Sequence, residues 1–242
     1  NANAVTTITG NAADVLAALT ATTIDTAAYV AATVSGTVLA ADAQLIAAAT
    51  TGKVTATIAA ADAATLNGAL TETDENAYTL TVNNAAGNAA AATTLNALDD
   101  KTSVKVKVDA VEVSGAYADL EKVYVTNKAG FANLGDEAVQ ITGAPTLASQ
   151  VNTIAKATKG IVTATVAANT ADVLVANLKD ANATDKLTLD VNGASAKASD
   201  LNTLDGKTSV VVAVNATNVT GNIADVTKVF VTNAANFANL GT

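Results

Sequence analysis

The chain contains no Cys, His, Met, Trp or Arg, and only three Phe and four Tyr among its 242 residues. Each absence closes off a chemistry. Without Cys there is no disulfide framework, no thiolate metal site and no thiol nucleophile. Without His, the commonest metal ligand and the one side chain that titrates near neutrality are missing. Ser and Thr are plentiful, but no imidazole can activate them and no motif supports a Ser–Lys pair. The expectation is a protein that is not an enzyme, with no catalytic, cofactor-binding or metal residues to name.

Other signals are missing too. No run of 18 or more apolar residues could span a bilayer, and no basic segment followed by an apolar stretch reads as a signal peptide. The Gly-containing turns Ser35-Gly36, Thr142-Gly143 and Thr220-Gly221 are expected to end strands before helices. None is a phosphate-cradling loop of the GxxxxGK type. Thirteen Lys against twenty-two Asp and Glu give a net charge of −9, which argues against nucleic acid or an anionic membrane as partner. Half of the residues are hydrophobic, yet few are large; Ala alone makes up about a quarter of the chain. Small side chains bury little area each, at about 25 cal/mol per Å², so a thin, continuous core is favoured over one built on large anchors.

What the chain does have is repetition. Residues 95–135 and 201–241 are two copies of one unit, identical at about 26 of 41 positions and offset by about 106 residues. Within each copy lie shorter units of roughly 20–30 residues, the range of solenoid coils. They start at Thr6, Ala32, Lys53, Tyr78 and Ser103, and again at Ala138, Ile161, Lys186 and Ser209. Residues 1–31 then read as a partial repeat, 32–137 as a first large repeat of four coils, and 138–242 as a second. The ends, Asn1 and Thr242, read as cut from a longer array.

Each coil has two halves. In the first, Val54, Ala56 and Ile58 alternate with Thr55 and Thr57; Tyr78, Leu80 and Val82 alternate with Thr79 and Thr81; Val104, Val106 and Val108 alternate with Lys105 and Lys107. Period-two alternation of β-branched residues predicts strands with one buried face. In the second half, Asn11 precedes Asp14, Val15, Leu16 and Leu19, and Asn169 precedes Asp172, Val173, Leu174 and Leu178. An Asn cap with an acid three residues later predicts short helices, and the same acid recurs as Asp42, Asp62, Asp119, Asp200 and Asp225. The fold class expected is α/β, a solenoid of short strand–turn–helix coils with a parallel β-sheet on one face, broadly like the leucine-rich-repeat architecture. At about 4.8 Å per strand, nine or ten coils would measure about 45 Å. A doubly wound α/β domain is the alternative.

Candidate binding groups are few. The helix-start acids read as caps rather than acid–base pairs. Asp99, Asp100 and Asp205 are the carboxylates that could contact calcium, but neither the GGxGxDxUx repeat nor an EF-hand loop accompanies them. Asn182, Asn215 and Asn218 sit in N-x-T sequons, which chance supplies in an Asn- and Thr-rich chain. Phe131 and Leu134, matched by Phe237 and Leu240, read as core filler rather than a ligand-stacking platform. Thr55/Thr57, Thr79/Thr81 and Thr163/Thr165 would form rows on the outer face of a sheet, similar to the ice-binding faces of some antifreeze proteins, with Lys105, Lys107 and Asp190 interrupting them.

The phrases VTATI, LNALDDKTSV and DLEKVYVTNKAGFANLG, with their second copies VTATV, LNTLDGKTSV and DVTKVFVTNAANFANLG, carry a resemblance. They look like the Ala/Thr/Val-rich repeats of giant cyanobacterial and proteobacterial surface proteins: adhesins, S-layer-type proteins and motility-associated cell-surface proteins. The likeness covers most of the chain from about residue 32. It implies secretion, often by a one-step exporter, and a scaffolding or adhesive role, and it carries over no binding residue. The expected function is thus a structural repeat segment of an extracellular bacterial assembly, self-associating head to tail or joined to neighbouring repeats. A module gripping cell-surface glycan or ice through its sheet face is the alternative.

Overall fold

A computed structural model describes residues 4–71 and 76–240; Asn1 and Thr242, which read as cut ends, lie outside this range. The chain is mixed α/β, with several parallel sheets and no closed barrel among the described residues. It divides into two compact units. The first comprises residues up to Glu112 together with Thr126–Leu134, and the second Val113–Val125 together with the chain from Gly135. This division interleaves two short segments, whereas the large sequence repeats meet at 137/138.

In the first unit, the strands Val5–Gly10, Thr26–Val38, Val54–Ile58 and Ala77–Thr79 lie side by side in chain order, all parallel. Each pairs with a strand about two dozen residues later: Thr9 with Thr33, Thr33 with Thr55, Thr55 with Ala77. Parallel neighbours need a crossover connection. The helices Ala12–Thr20, Ala40–Ala48 and Ala63–Ala69 supply it, each packing on the next, and Ala63–Ala69 packs in turn on Ala92–Asp99. A second parallel sheet joins Thr81–Val82, Val106–Val108 and Phe131–Ala132.

The second unit repeats the scheme. Ala138–Ile141, Val162–Thr165 and Lys186–Thr188 are parallel and in chain order. So are Asp190–Val191, Val212–Val214 and Phe237–Ala238, and Ser195–Lys197 pairs with Asn218–Thr220. The helices Tyr117–Glu121, Ala148–Ala157, Ala171–Asn177, Ala198–Asp205 and Ile223–Thr227 pack in succession.

The alternating pattern explains the strands. Val54, Ala56 and Ile58 are buried while Thr55 and Thr57 are exposed, and Tyr78, Leu80 and Val82 are buried around exposed Thr79. The run is not one continuous strand, however. It breaks at the buried Leu80, and at the corresponding Leu189 in the second unit, so Ala77–Thr79 and Thr81–Val82 belong to different sheets, as do Lys186–Thr188 and Asp190–Val191. Inside, Leu66, Leu95, Leu98, Ile154, Leu174 and Leu201 alternate with Ala43, Ala63, Ala92 and Ala198. Each buried Leu or Ile contributes about 1.5–3 kcal/mol, and the alanines let neighbouring backbones close up.

Three local expectations need correction. Ser35-Gly36 does not end a strand. It lies inside Thr26–Val38, where the register with Val54–Ile58 shifts and Gly36 takes φ +77°, a bulge conformation that glycine allows at no steric cost. Asn169 is not the cap of its helix. Thr170 is, and Asn169 accepts from the Thr170 N–H instead. Asp62 is not a third-position acid but itself the cap, accepting from the Thr65 N–H at 2.9 Å. The prediction at Asn11 holds: its side chain accepts from the Asp14 N–H at 3.0 Å and donates to the Asp14 carboxylate at 2.6 Å. Asn222 and Asp225 repeat that arrangement.

Candidate functional site

Two features of these coils stand out chemically, one inside and one outside. The inner one is a series of buried polar side chains placed just before successive strands. Thr102 and Thr208 are buried, and each binds backbone one winding earlier in the chain. The Thr102 hydroxyl accepts from the Tyr78 N–H at 3.0 Å and donates to the Tyr78 carbonyl at 2.7 Å. Thr208 does the same with Leu187, at 3.0 and 2.8 Å. Asn76 accepts from the Val54 N–H at 2.8 Å. Asp185, fully buried, accepts from the Val162 N–H at 2.8 Å and from the Asn182 N–H at 2.9 Å.

A related device uses Thr-x-Gly. The Thr50 hydroxyl donates to the Val30 carbonyl and accepts from the Gly52 N–H at 3.0 Å. Thr158 donates to the Glu137 carbonyl at 3.1 Å and accepts from the Gly160 N–H at 2.9 Å. The glycines sit where the chain passes the preceding coil. A Cβ on Gly52 would lie 2.2 Å from the Val30 carbonyl oxygen, and one on Gly160 would lie 2.0 Å from that of Glu137. Narrow sheets leave some strand-end N–H groups without a ladder partner, and an unpaired buried donor costs about 1–3 kcal/mol. These side chains satisfy such donors. Their signal in the sequence is an Asn or Asp one residue before a strand or a Thr four residues before it, which composition rich in those residues hides.

In the second unit a buried pair adds to the series. Tyr124 donates its hydroxyl to the buried Glu137 carboxylate, which also accepts from the N–H of Gly135 at 3.0 Å and of Asp136 at 3.2 Å. Burial, and then the adjoining negative charge, push the Tyr124 phenol far above its ordinary value.

The outer feature is the threonine face. In the first unit, register places Thr9, Thr33 and Thr55 in one row, and Thr37, Thr57 and Thr79 in another. In the second unit the rows are broken, with Thr163 between Gln140 and Lys186 and only Thr165 and Thr188 aligned. Lys107 stands beside Thr81 and pairs with Asp109 at 2.6 Å, and Asn133 donates to the same Asp109 carboxylate at 2.9 Å. Lys107 first, then Asn133, lower the Asp109 pKa.

The remaining candidates are dispersed. Asp205 accepts from the Asn233 and Asn236 side-chain amides at 2.7 and 2.8 Å. Asp99 lies against the Gly130 backbone, and burial, then the Asp100 charge, raise its pKa. Asp100 caps the end of the helix Ala92–Asp99 through its backbone N–H. Among the described residues no three acidic side chains converge as a cation site. Asn182 accepts from Thr184, Asn215 donates to Asp190 and Asn218 donates to the Ala194 carbonyl, so all three sequon side chains have local hydrogen bonds. Phe131 and Phe237 are buried strand residues within their own sheets. No protein-family model matches the chain, and neither a curated protein nor a solved structure is similar to it.

Proposed function

We propose that this chain is a non-enzymatic structural repeat segment of an extracellular bacterial surface assembly: an S-layer, a surface fibre or an adhesin stalk. In this reading its coils stack as one α/β solenoid, broadly like leucine-rich repeats, and its partners are neighbouring coils of the same kind, in one polypeptide or head to tail between copies. The observation that carries it is the buried polar series, in which winding after winding returns, 21 to 24 residues on, to place a side chain against the backbone where that winding began. Such bonds serve repetition. The compositional resemblance to giant surface proteins supports the extracellular setting, and no helix among the described residues is long and apolar enough to cross a membrane.

A stack with nearest-neighbour interactions tolerates loss of a whole coil, because the remaining coils meet through equivalent surfaces. Deleting residues 163–185 removes one step of the register, since Thr163 pairs with Lys186. The shortened chain is expected to unfold cooperatively with a reduced free energy. Failure to fold at all, while single-residue variants fold, overturns the reading.

A second reading, recognition of ice or a glycan, draws on the two threonine rows of the first unit. Inhibition of ice recrystallisation or a glycan-array signal, lost on Thr57→Lys, is the result that would establish it. Silence in both assays leaves the scaffold alone.

A further inference from the structure

One short motif occurs three times: Thr9-Gly10-Asn11-Ala12-Ala13-Asp14-Val15, Ser114-Gly115-Ala116-Tyr117-Ala118-Asp119-Leu120 and Thr220-Gly221-Asn222-Ile223-Ala224-Asp225-Val226. Each time a strand ends at the Thr/Ser-Gly pair and a helix begins just after it. The first two occurrences are covered in the same way by the next coil. After the first, the strand Thr26–Val38 pairs with Val5–Gly10, and the helix Ala40–Ala48 packs on Ala12–Thr20, burying Val15 completely. After the second, Ala138–Ile141 lies beside Glu112–Gly115, with the Thr142 N–H donating to the Gly115 carbonyl at 2.8 Å. There the helix Ala148–Ala157 packs on Tyr117–Glu121, and Tyr117 faces Thr153.

The third occurrence carries no such cover among the described residues. Asn218–Thr220 pairs only with Ser195–Lys197, leaving its other edge open. Side chains that are buried in the second occurrence are exposed in the third. Leu120 is 0% exposed and Tyr124 1%, whereas their counterparts Val226 and Phe230 are partly exposed, Phe230 to 40%. Ile223, in the place of the half-buried Tyr117, is 86% exposed. A groove of about 420 Å³ lies beside Phe230, lined by Val219 and Leu240 and by the polar Asn215, Thr217, Asn218 and Asn239. An apolar patch beside an open strand edge marks an interaction surface.

We infer that the face formed by Asn218–Thr220, Ile223 and Phe230 is a docking surface for one further coil of the kind seen at 26–48 and 135–157. That occupant is a strand that extends the open edge, followed by an amphipathic helix of about ten residues that covers Ile223 and Phe230. The inference rests on the repeat-segment reading and adds the occupant and its register. Two internal precedents define the occupant. The third site keeps the capping residues of the first, Asn and Asp, and the apolar positions of both.

The test extends the full chain after Thr242 with a second copy of residues 137–160, which keeps the register because Gly135-Asp136 and Gly241-Thr242 occupy equivalent places. Amides at Val219, Thr220 and in the added segment are expected to exchange about 100-fold more slowly than in an extension of scrambled sequence, as docked secondary structure does. Ile223→Asp should abolish that protection in the extended chain and leave the parent's denaturation midpoint unchanged. Phe230→Tyr, which restores a phenol opposite the added glutamate, should raise the midpoint of the extended chain and not of the parent. Exchange of the added segment at free-peptide rates overturns the inference, as does equal protection by the scrambled extension. Concentration-dependent protection of Val219 in the parent also overturns it, since a second copy of the chain is then the occupant. If the chain lacking 163–185 folds while the added coil stays unprotected, the scaffold reading survives and this docking surface does not.

Discussion

Replacing Thr208 by Val keeps the shape of the side chain and removes only its hydroxyl. That hydroxyl accepts from the N–H of Leu187 at 3.0 Å and of Val210 at 3.0 Å, and donates to the Leu187 carbonyl at 2.8 Å. Thr208 is buried, so water replaces its hydroxyl only in part. The variant leaves two donors and one acceptor short of a partner, at about 1–3 kcal/mol for each fully unsatisfied group. Some relaxation is available because Val210 lies near the rim, so the expected total is about 2–5 kcal/mol. Against a domain stability of about 5–15 kcal/mol, this is a large loss, without any cavity to account for it. Thr57→Val makes the same chemical change in an exposed row and should shift stability by less than about 0.5 kcal/mol. Thr208→Ser, which keeps the hydroxyl, should cost less than Thr208→Val. Urea unfolding followed by circular dichroism reads all three through the midpoint at unchanged slope. Equal midpoints for Thr208→Val and Thr57→Val would refute the role assigned to the buried hydroxyls.

Three more outcomes are expected. Gly160→Ala pushes a methyl into the Glu137 carbonyl 2.0 Å away, on backbone that cannot swing aside, and should lower stability by about 2 kcal/mol or more, measured by the same unfolding assay. The Tyr124 phenol is held far above the ordinary value of 10.0, so the stability it contributes is complete below pH 10 and is lost as pH rises beyond it, when the unfolded chain ionises first. Tyr124→Phe should flatten that alkaline decline in a pH series, leaving the slope due to Tyr117, whose pKa burial also raises. Asp99 has its pKa raised above 3.8 by burial and by Asp100, so the folded state favours the protonated carboxyl, and this contribution fades as pH climbs from 3.8 through the raised value. Asp99→Asn should therefore stabilise the chain at pH 7 and weaken the pH dependence just above 4; a less stable variant at pH 7 would contradict this.

The strand positions were legible because the period-two signal is local: Val54–Ile58 and Lys186–Thr188 need only their own residues to declare a buried face. The helix starts were legible at Asn11 for the same reason, and misplaced by one residue at Asn169 because Asn and Thr stand together and either could cap. The break at Leu80 was not legible, since burial on both sides of a bend looks the same as burial along one straight strand. Val123–Val125 lies in a widened helical turn, Lys122–Thr126. Leu120, Val123 and Tyr124 are buried at helical spacing, a signal obscured by the β-branched composition. The buried Thr102, Asp185 and Thr208 were hidden most thoroughly. A polar residue before a strand is common, and only the register of the next coil shows which backbone group it meets.

Amide exchange in the native chain at Val54, Tyr78, Val162 and Leu187 is the most direct measurement of all. Each of these N–H groups is bound by a side chain one winding, 21 to 24 residues, further along the chain. The account predicts that all four exchange only when their unit opens as a whole, tracking its global unfolding free energy. Exchange at the rate of exposed turns, with the unit otherwise folded, would show that successive coils are not locked through these side chains and would remove the basis for reading the chain as a stack.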